Sequence, residues 1–166
     1  EDAVRRLVNE AILRSTGKLR IDPGETPEAV RAAAVNTLGG GELSRVEQRL
    51  KDGRMEYRVK ARVGGDAYDL KILASGEVLE AEMPPDHAPE VIKAAAARGV
   101  PGIKMNQVVL EEDRGEGGQV YDVEGKVGGK KYDIIIAPDG RLIEVDGPGG
   151  KVRFNDHTPA KGPEAF

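Results

Sequence analysis

Seven residues written twice constrain this chain more than anything else in it: VGGDAYD from Val63 and VGGKKYD from Val127. Pro27-Glu28 answers Pro89-Glu90 at an offset of 62, while Tyr57 and Tyr121, Tyr68 and Tyr132, and Gly76 and Gly140 each stand 64 apart. The two-residue difference falls in the first hairpin loop, around LKDGR in the first copy and within EEDRGEGG in the second. All four tyrosines of the chain fall into equivalent pairs. An internal duplication accounts for this pattern and chance does not.

The repeated stretch has a mechanical reading. Two glycines between alternating segments predict a two-residue hairpin, because both central positions of a type I′ turn need positive φ. Such a turn fixes register. It sets Tyr68 opposite Ala61 and Tyr132 opposite Gly125, each ring over a small partner. Met55, Tyr57, Val59, Ala61 and Val63 then share one face with Tyr68, Leu70 and Ile72. APDG supplies the next turn, with Pro138 in its first central position and Gly140 closing it.

The remaining elements follow from periodicity and punctuation. Residues 2 to 14 place Val4, Leu7, Val8, Ala11 and Ile12 on one helical stripe. This helix is expected to cover apolar surface that the first copy leaves bare. KLRI reads as a short extended piece and DPGE as a turn. A helix begins at TPEAV, with Thr26 as N-cap and Pro27 at the first helical position, and PEVIKAAAARG opens the second copy alike. Strands are predicted at 43 to 50, 55 to 63, 67 to 73 and 77 to 82, and again at 104 to 112, 119 to 127, 131 to 137 and 141 to 146. The expected fold is α+β: two tandem repeats, each a helix on a four-stranded antiparallel meander, with an extra N-terminal helix. The expected boundaries are 1–26 for that helix and linker, 27–82 and 83–146 for the repeats, and 147–166 for a loosely ordered Gly/Pro-rich tail.

Composition narrows function by exclusion. With 25 Lys and Arg against 29 Asp and Glu, the net charge of −4 argues against a nucleic-acid partner unless a basic face segregates. No apolar run approaches the ~20 residues of a membrane span. The chain has no Cys, hence no disulfide, thiolate nucleophile or Cys-based zinc site. With no Trp and two Phe, the core must be built from Val, Ile, Leu and Ala. Glu1 in place of Met points to an upstream segment, a signal peptide or a neighbouring part of a longer protein.

No residue set spells out a reaction. Asp86-His87 and Asp156-His157 sit beside prolines in loops, and neither a serine elbow nor HExxH accompanies them, so they read as surface histidines. Glu111, Glu112, Asp113 and Glu116 form a solvated acidic loop without the ligand order of a calcium site. The tyrosines fall on the helix-covered face and read as core. No catalytic residue, metal ligand or cofactor site is expected.

PEAVRAAA…MEYRVKARVGGDAYDLKILASGEVLEAE and its second copy resemble PepSY-type domains: a Pro-initiated helix, a Tyr-x-Val strand, a glycine hairpin, a Tyr-centred strand and a glycine turn. Two such units in tandem are similar to the duplicated helix-plus-four-strand architecture of the β-lactamase inhibitor protein. The resemblance covers residues 27 to 146 and implies a secreted or periplasmic protein without catalytic residues. Its partner would be a protein, either a peptidase it restrains or another envelope protein.

The outer sheet face is where the copies differ. The first shows Glu56, Arg58, Lys60, Arg62, Asp69 and Lys71, with basic residues in excess. The second shows Asp122, Glu124, Lys126 and Asp133, plus Ile135 and Leu142 where the first copy has Lys71 and Val78. The candidate partner-binding face is therefore Arg58, Lys60, Arg62, Lys71, Ile135 and Leu142. The other expectation is a scaffolding unit of a longer multi-repeat envelope protein, with the closing PEAF starting a further copy.

Overall fold

The computed structural model describes residues 2–113 and 118–154. Glu116, the Asp156-His157 pair and the closing PEAF lie outside the described residues. The chain divides into two compact units, Glu1–Ala81 and Glu82–Phe166. Among the described residues, three α-helices and antiparallel sheet make up the architecture, an α+β protein as expected. No helix among the described residues is long and apolar enough to cross a membrane.

The first unit runs α1 (Asp2–Thr16), β1 (Lys18–Ile21), a 3-10 turn at Pro23–Glu25, α2 (Glu28–Leu38), β2 (Glu42–Lys51), β3 (Arg54–Val63), β4 (Asp66–Leu73) and β5 (Val78–Met83), within which the boundary falls. Its sheet has five strands rather than four. KLRI, read as a short extended piece, pairs as β1 along β2 from Lys18↔Arg49 to Ile21↔Val46. The β3–β4 hairpin has the register its glycines predict, Ala61↔Tyr68 and Val63↔Asp66, with Gly64 and Gly65 at φ 58° and 90°. The alternation on β3 buries Tyr57, Val59 and Ala61, and α2 lays Val30, Ala34 and Leu38 into this core with Leu70 and Ile72. At about 25 cal/mol per Å² of apolar surface buried, each of these Val, Leu and Ile side chains contributes roughly 1.5–3 kcal/mol.

Two expectations about helix starts are corrected. Pro27, not Thr26, occupies the N-cap of α2. The Thr26 hydroxyl instead donates to the Pro23 carbonyl at 2.7 Å and closes the preceding turn. The apolar stripe of α1 does not cover the sheet: Val4, Leu7, Val8 and Ile12 are all exposed. The helix turns Arg6, Asn9, Glu10 and Leu13 toward Leu19, Ile21, Gln48 and Met55 around a cleft of about 320 Å³. An ion pair from Arg5 to Glu25 ties it to the turn that follows β1.

The second unit runs through a 3-10 turn at Pro85–His87, α3 (Glu90–Gly99), β6 (Lys104–Glu112), β7 (Gln119–Val127), β8 (Lys130–Ile136), β9 (Leu142–Gly147) and β10 (Gly150–Arg153). Here too the sheet gains a fifth strand. Residues read as loose tail form β10, paired with β9 from Gly150↔Gly147 to Arg153↔Glu144. Ile92, Ala95 and Ala96 of α3 are buried with Val108, Val123, Ile134 and Ile136. The expected pair Gly125↔Tyr132 is present, but the ring lies over Gly147 rather than Gly125. The space beside Gly125 is filled by Ile103.

Several local devices occur in both units. A register shift interrupts β2–β3 between Leu43 and Arg45, and β6–β7 between Met105 and Gln107. Another interrupts β4–β5 after Lys71, and β8–β9 after Ile135. Gly76 and Gly140 have φ of 95° and 92°, and a Cβ there would come within 3.0 Å of the Ala29 carbonyl oxygen and 3.2 Å of the Val91 carbonyl oxygen. Each glycine thus lets the first turn of a helix rest on a hairpin.

Candidate functional site

Cross-strand pairing places the outward side chains of the first unit in rows. One row reads Arg20, Glu47, Arg58, Lys71 and Glu80 across β1 to β5. The next reads Arg45, Lys60 and Asp69 across β2 to β4. Arg58 and Lys60 are exposed, and Lys71 is half-buried, 3.6 Å from Glu80. Arg62 is exposed one row further out, opposite Glu42 and Ala67. Arg45, Glu47, Arg49, Arg58, Val59, Lys60 and Asp69 line a shallow cleft of about 200 Å³.

Charge is partly matched within this face. Arg49 donates to Glu47 at 2.6 Å and holds its carboxyl below the ordinary carboxylate range. Lys60 stands 4.0 Å from Asp69. Arg45 and Arg58 form no ion pair among the described residues, which leaves a basic surplus where the cleft opens. The sequence reading had Arg58 and Lys60 but not Arg45 and Arg49. The alternation Arg45, Glu47, Arg49 on β2 was the available signal, and only the β2–β3 register sets it beside Arg58.

The corresponding rows of the second unit carry the opposite sign. One reads Val109, Asp122, Ile135, Glu144 and Arg153; the next reads Gln107, Glu124, Asp133, Asp146 and Lys151. Glu124, Asp133 and Asp146 are direct cross-strand neighbours, an unfavourable line of like charges. Asp122 Oδ1 and Asp133 Oδ1 are buried without a hydrogen-bond partner among the described residues. Burial, then the charges of Asp133, Glu111, Glu124 and Glu144, push the Asp122 carboxyl up to about 6. Asp133 is raised as well, by burial and then by Glu124.

The apolar pair expected on this face is not there. Ile135 is half-buried between Asp122 and Glu144, on the open side. Leu142 is only 2% exposed and packs toward Gly99 of α3. The register shift after Ile135 is the reason: it pairs Leu142 with the buried Ile136 and skips Ile143. Val78 pairs with Ile72 in the same way. The shift reverses the face that strict alternation assigns to both residues.

The other sequence candidates bring no reactive group together. His87 ends the Pro85–His87 turn at the surface. Tyr57 is buried, its hydroxyl accepting from Gln48 Nε2 at 3.0 Å. Among the described residues, no group of three or more His, Cys, Asp or Glu side chains is placed to hold a metal ion.

Fold and faces together define a class: an α+β protein of antiparallel sheets, packed by helices on one side and charged and open on the other. Within it, the chain is similar in structure to a DUF2874-family protein from Bacteroides vulgatus with a provisional periplasmic assignment, at 18% identity and a TM-score of 0.54, over 80% of this chain and 98% of that one. A BLIP-like protein from Bacteroides fragilis matches at 17% identity and a TM-score of 0.38, over 81% and 93%. A DUF2874-family protein from Bacteroides uniformis matches at 17% identity and a TM-score of 0.39, over 73% and 88%. The first similarity speaks for the fold. No family model matches the chain, and no curated protein does.

Proposed function

We propose that this chain is a non-enzymatic protein-binding module of the cell envelope, built from two tandem copies of a helix-plus-four-strand unit. The copies are 27–82 and 83–146, with α1–β1 and β10 as additions at either end. The open sheet faces engage the partner. The observation that carries this reading is the basic surplus on the first face, where Arg45 and Arg58 flank a cleft without ion-pair partners among the described residues. A phosphate backbone suits that face poorly, because Glu47, Asp69 and Glu80 are interspersed among the cations. A protein surface with acidic and apolar groups suits it well.

The duplication is supported by the matching register shifts, the paired two-glycine turns and the equivalent Gly76 and Gly140. An extracytoplasmic location is supported by the provisional periplasmic assignment of the similar Bacteroides vulgatus protein and by the PepSY-type resemblance. That resemblance also makes restraint of a peptidase the first activity to assay.

The test immobilises the chain and, in parallel, its Arg58→Glu/Lys60→Glu variant in an envelope extract. One stoichiometric protein retained by the first and lost from the second is expected. Equal retention by both would place binding elsewhere on the molecule.

A further inference from the structure

The two open faces share one lattice of positions and differ in sign. Strand spacing of about 4.8 Å and a same-face repeat of about 6.8 Å set that lattice in any antiparallel sheet. On it, Arg58 of the first unit occupies the position of Asp122 in the second, Lys60 that of Glu124, and Lys71 that of Ile135. The two main rows of the first face hold Arg20, Arg45, Arg58, Lys60 and Lys71 against Glu47, Asp69 and Glu80. Those of the second hold Asp122, Glu124, Asp133, Glu144 and Asp146 against Lys151 and Arg153.

We propose that the basic open face of the first unit docks on the acidic open face of the second unit of another copy of this chain. The occupant is named by charge complementarity between two surfaces of the same sequence. The acidic surplus of the second face belongs to its two central rows: the next row is Lys104, Lys126 and Lys131. Lys131 stands 3.9 Å from Glu124 and Lys151 3.8 Å from Glu144, while Asp122, Asp133 and Asp146 form no ion pair among the described residues. Arg45 and Arg58 are without ion pairs among the described residues, and Glu124, Asp133 and Asp146 lie side by side on adjacent strands. Opposing the faces would set the cations of one against the carboxylates of the other and relieve both like-charge clusters. Val109 and Ile135 border Asp122 and offer apolar surface to the aliphatic stems of arriving Arg and Lys side chains. The contact joins two different surfaces, so it closes a dimer when made reciprocally and extends the assembly when it is not.

This inference rests on the reading of the open faces as binding surfaces, and its test needs no other protein. The mass of the full chain is measured by sedimentation at about 100 µM in about 20 mM and about 500 mM salt. A dimer or larger species is expected at low salt and the monomer at high salt. Arg58→Glu/Lys60→Glu makes both faces acidic, and Glu124→Lys/Asp146→Lys, by reversing the second face alone, makes both basic. Each variant alone should weaken self-association at least about 10-fold. Mixed in equal amounts the two should associate again, because each then presents the face the other lacks. Misfolded variants would not rescue each other. A monomeric wild-type chain at low salt overturns the proposal. So does failure of the mixture to associate when both variants keep the native melting transition. Either result leaves capture of a different protein by the first face to be judged by the extract experiment.

Discussion

The Tyr132 ring lies directly over Gly147: a Cβ added at Gly147 would stand 2.5 Å from both Cδ1 and Cε1. Gly147 is not among the glycines with positive φ, so the constraint is the ring and not the backbone. Gly147→Ala is expected to lower stability by about 1–3 kcal/mol through overpacking. In a Tyr132→Ala background the same change should cost much less. Urea unfolding of the four chains of this double-mutant cycle measures the coupling, and equal costs in both backgrounds would reject the contact.

Asp122, together with Asp133, is expected to contribute to the pH dependence of the second unit. Its carboxyl is raised from an ordinary 3.8 to about 6, with Asp133, Glu111, Glu124 and Glu144 adding to the effect of burial. A raised folded-state value means the native state holds the proton more tightly than the unfolded chain. The site's stability contribution is full below about pH 4 and is lost as pH rises through about 6. Asp122→Asn should therefore be more stable than the wild type at pH 8, by about 1 kcal/mol once solvent screening of a half-buried group is allowed for. The difference should shrink as pH falls from 6 toward 4. Urea midpoints across that range check it, and a difference that does not change with pH would contradict the assignment.

Leu142 and Ile135 should respond very differently to the same substitution. Leu142→Lys puts an unpaired charge into the packing beneath α3 and is expected to cost about 3–5 kcal/mol. Ile135→Lys places a cation between Asp122 and Glu144, at the position Lys71 holds in the first unit, and should change stability by less than about 1 kcal/mol. Denaturation midpoints of the two single variants decide it. Similar losses at both positions would mean that the register shift does not separate their faces.

Much of this was legible in the sequence, for physical reasons that can be named. Paired glycines at 64–65 and 128–129 admit few backbone solutions, so the hairpin register and the inward side of Tyr57, Val59 and Ala61 could be read directly. The register shifts could not, since one skipped residue at Leu79 or Ile143 leaves no mark in composition, and Leu142 was assigned to the wrong side as a result. β1 and β10 were missed as strands because four residues at a sheet edge carry little periodicity. The opposite charges of the two faces were visible on β3 and β7, but the depth of the contrast came from the neighbouring strands. Arg45 joins Lys60 only through β2–β3 pairing, and Asp146 joins Asp133 only through β8–β9.

Lysine footprinting of the partner complex tests the central claim most directly, that the open face of the first unit is the binding surface. The complex recovered from envelope extract is labelled with an amine-reactive reagent and compared with the free chain. Lys60 and Lys71 are expected to lose most of their reactivity, while Lys93 on α3 keeps its own. A complex in which Lys60 and Lys71 label as in the free chain, or an extract that yields no stoichiometric complex, would contradict the account.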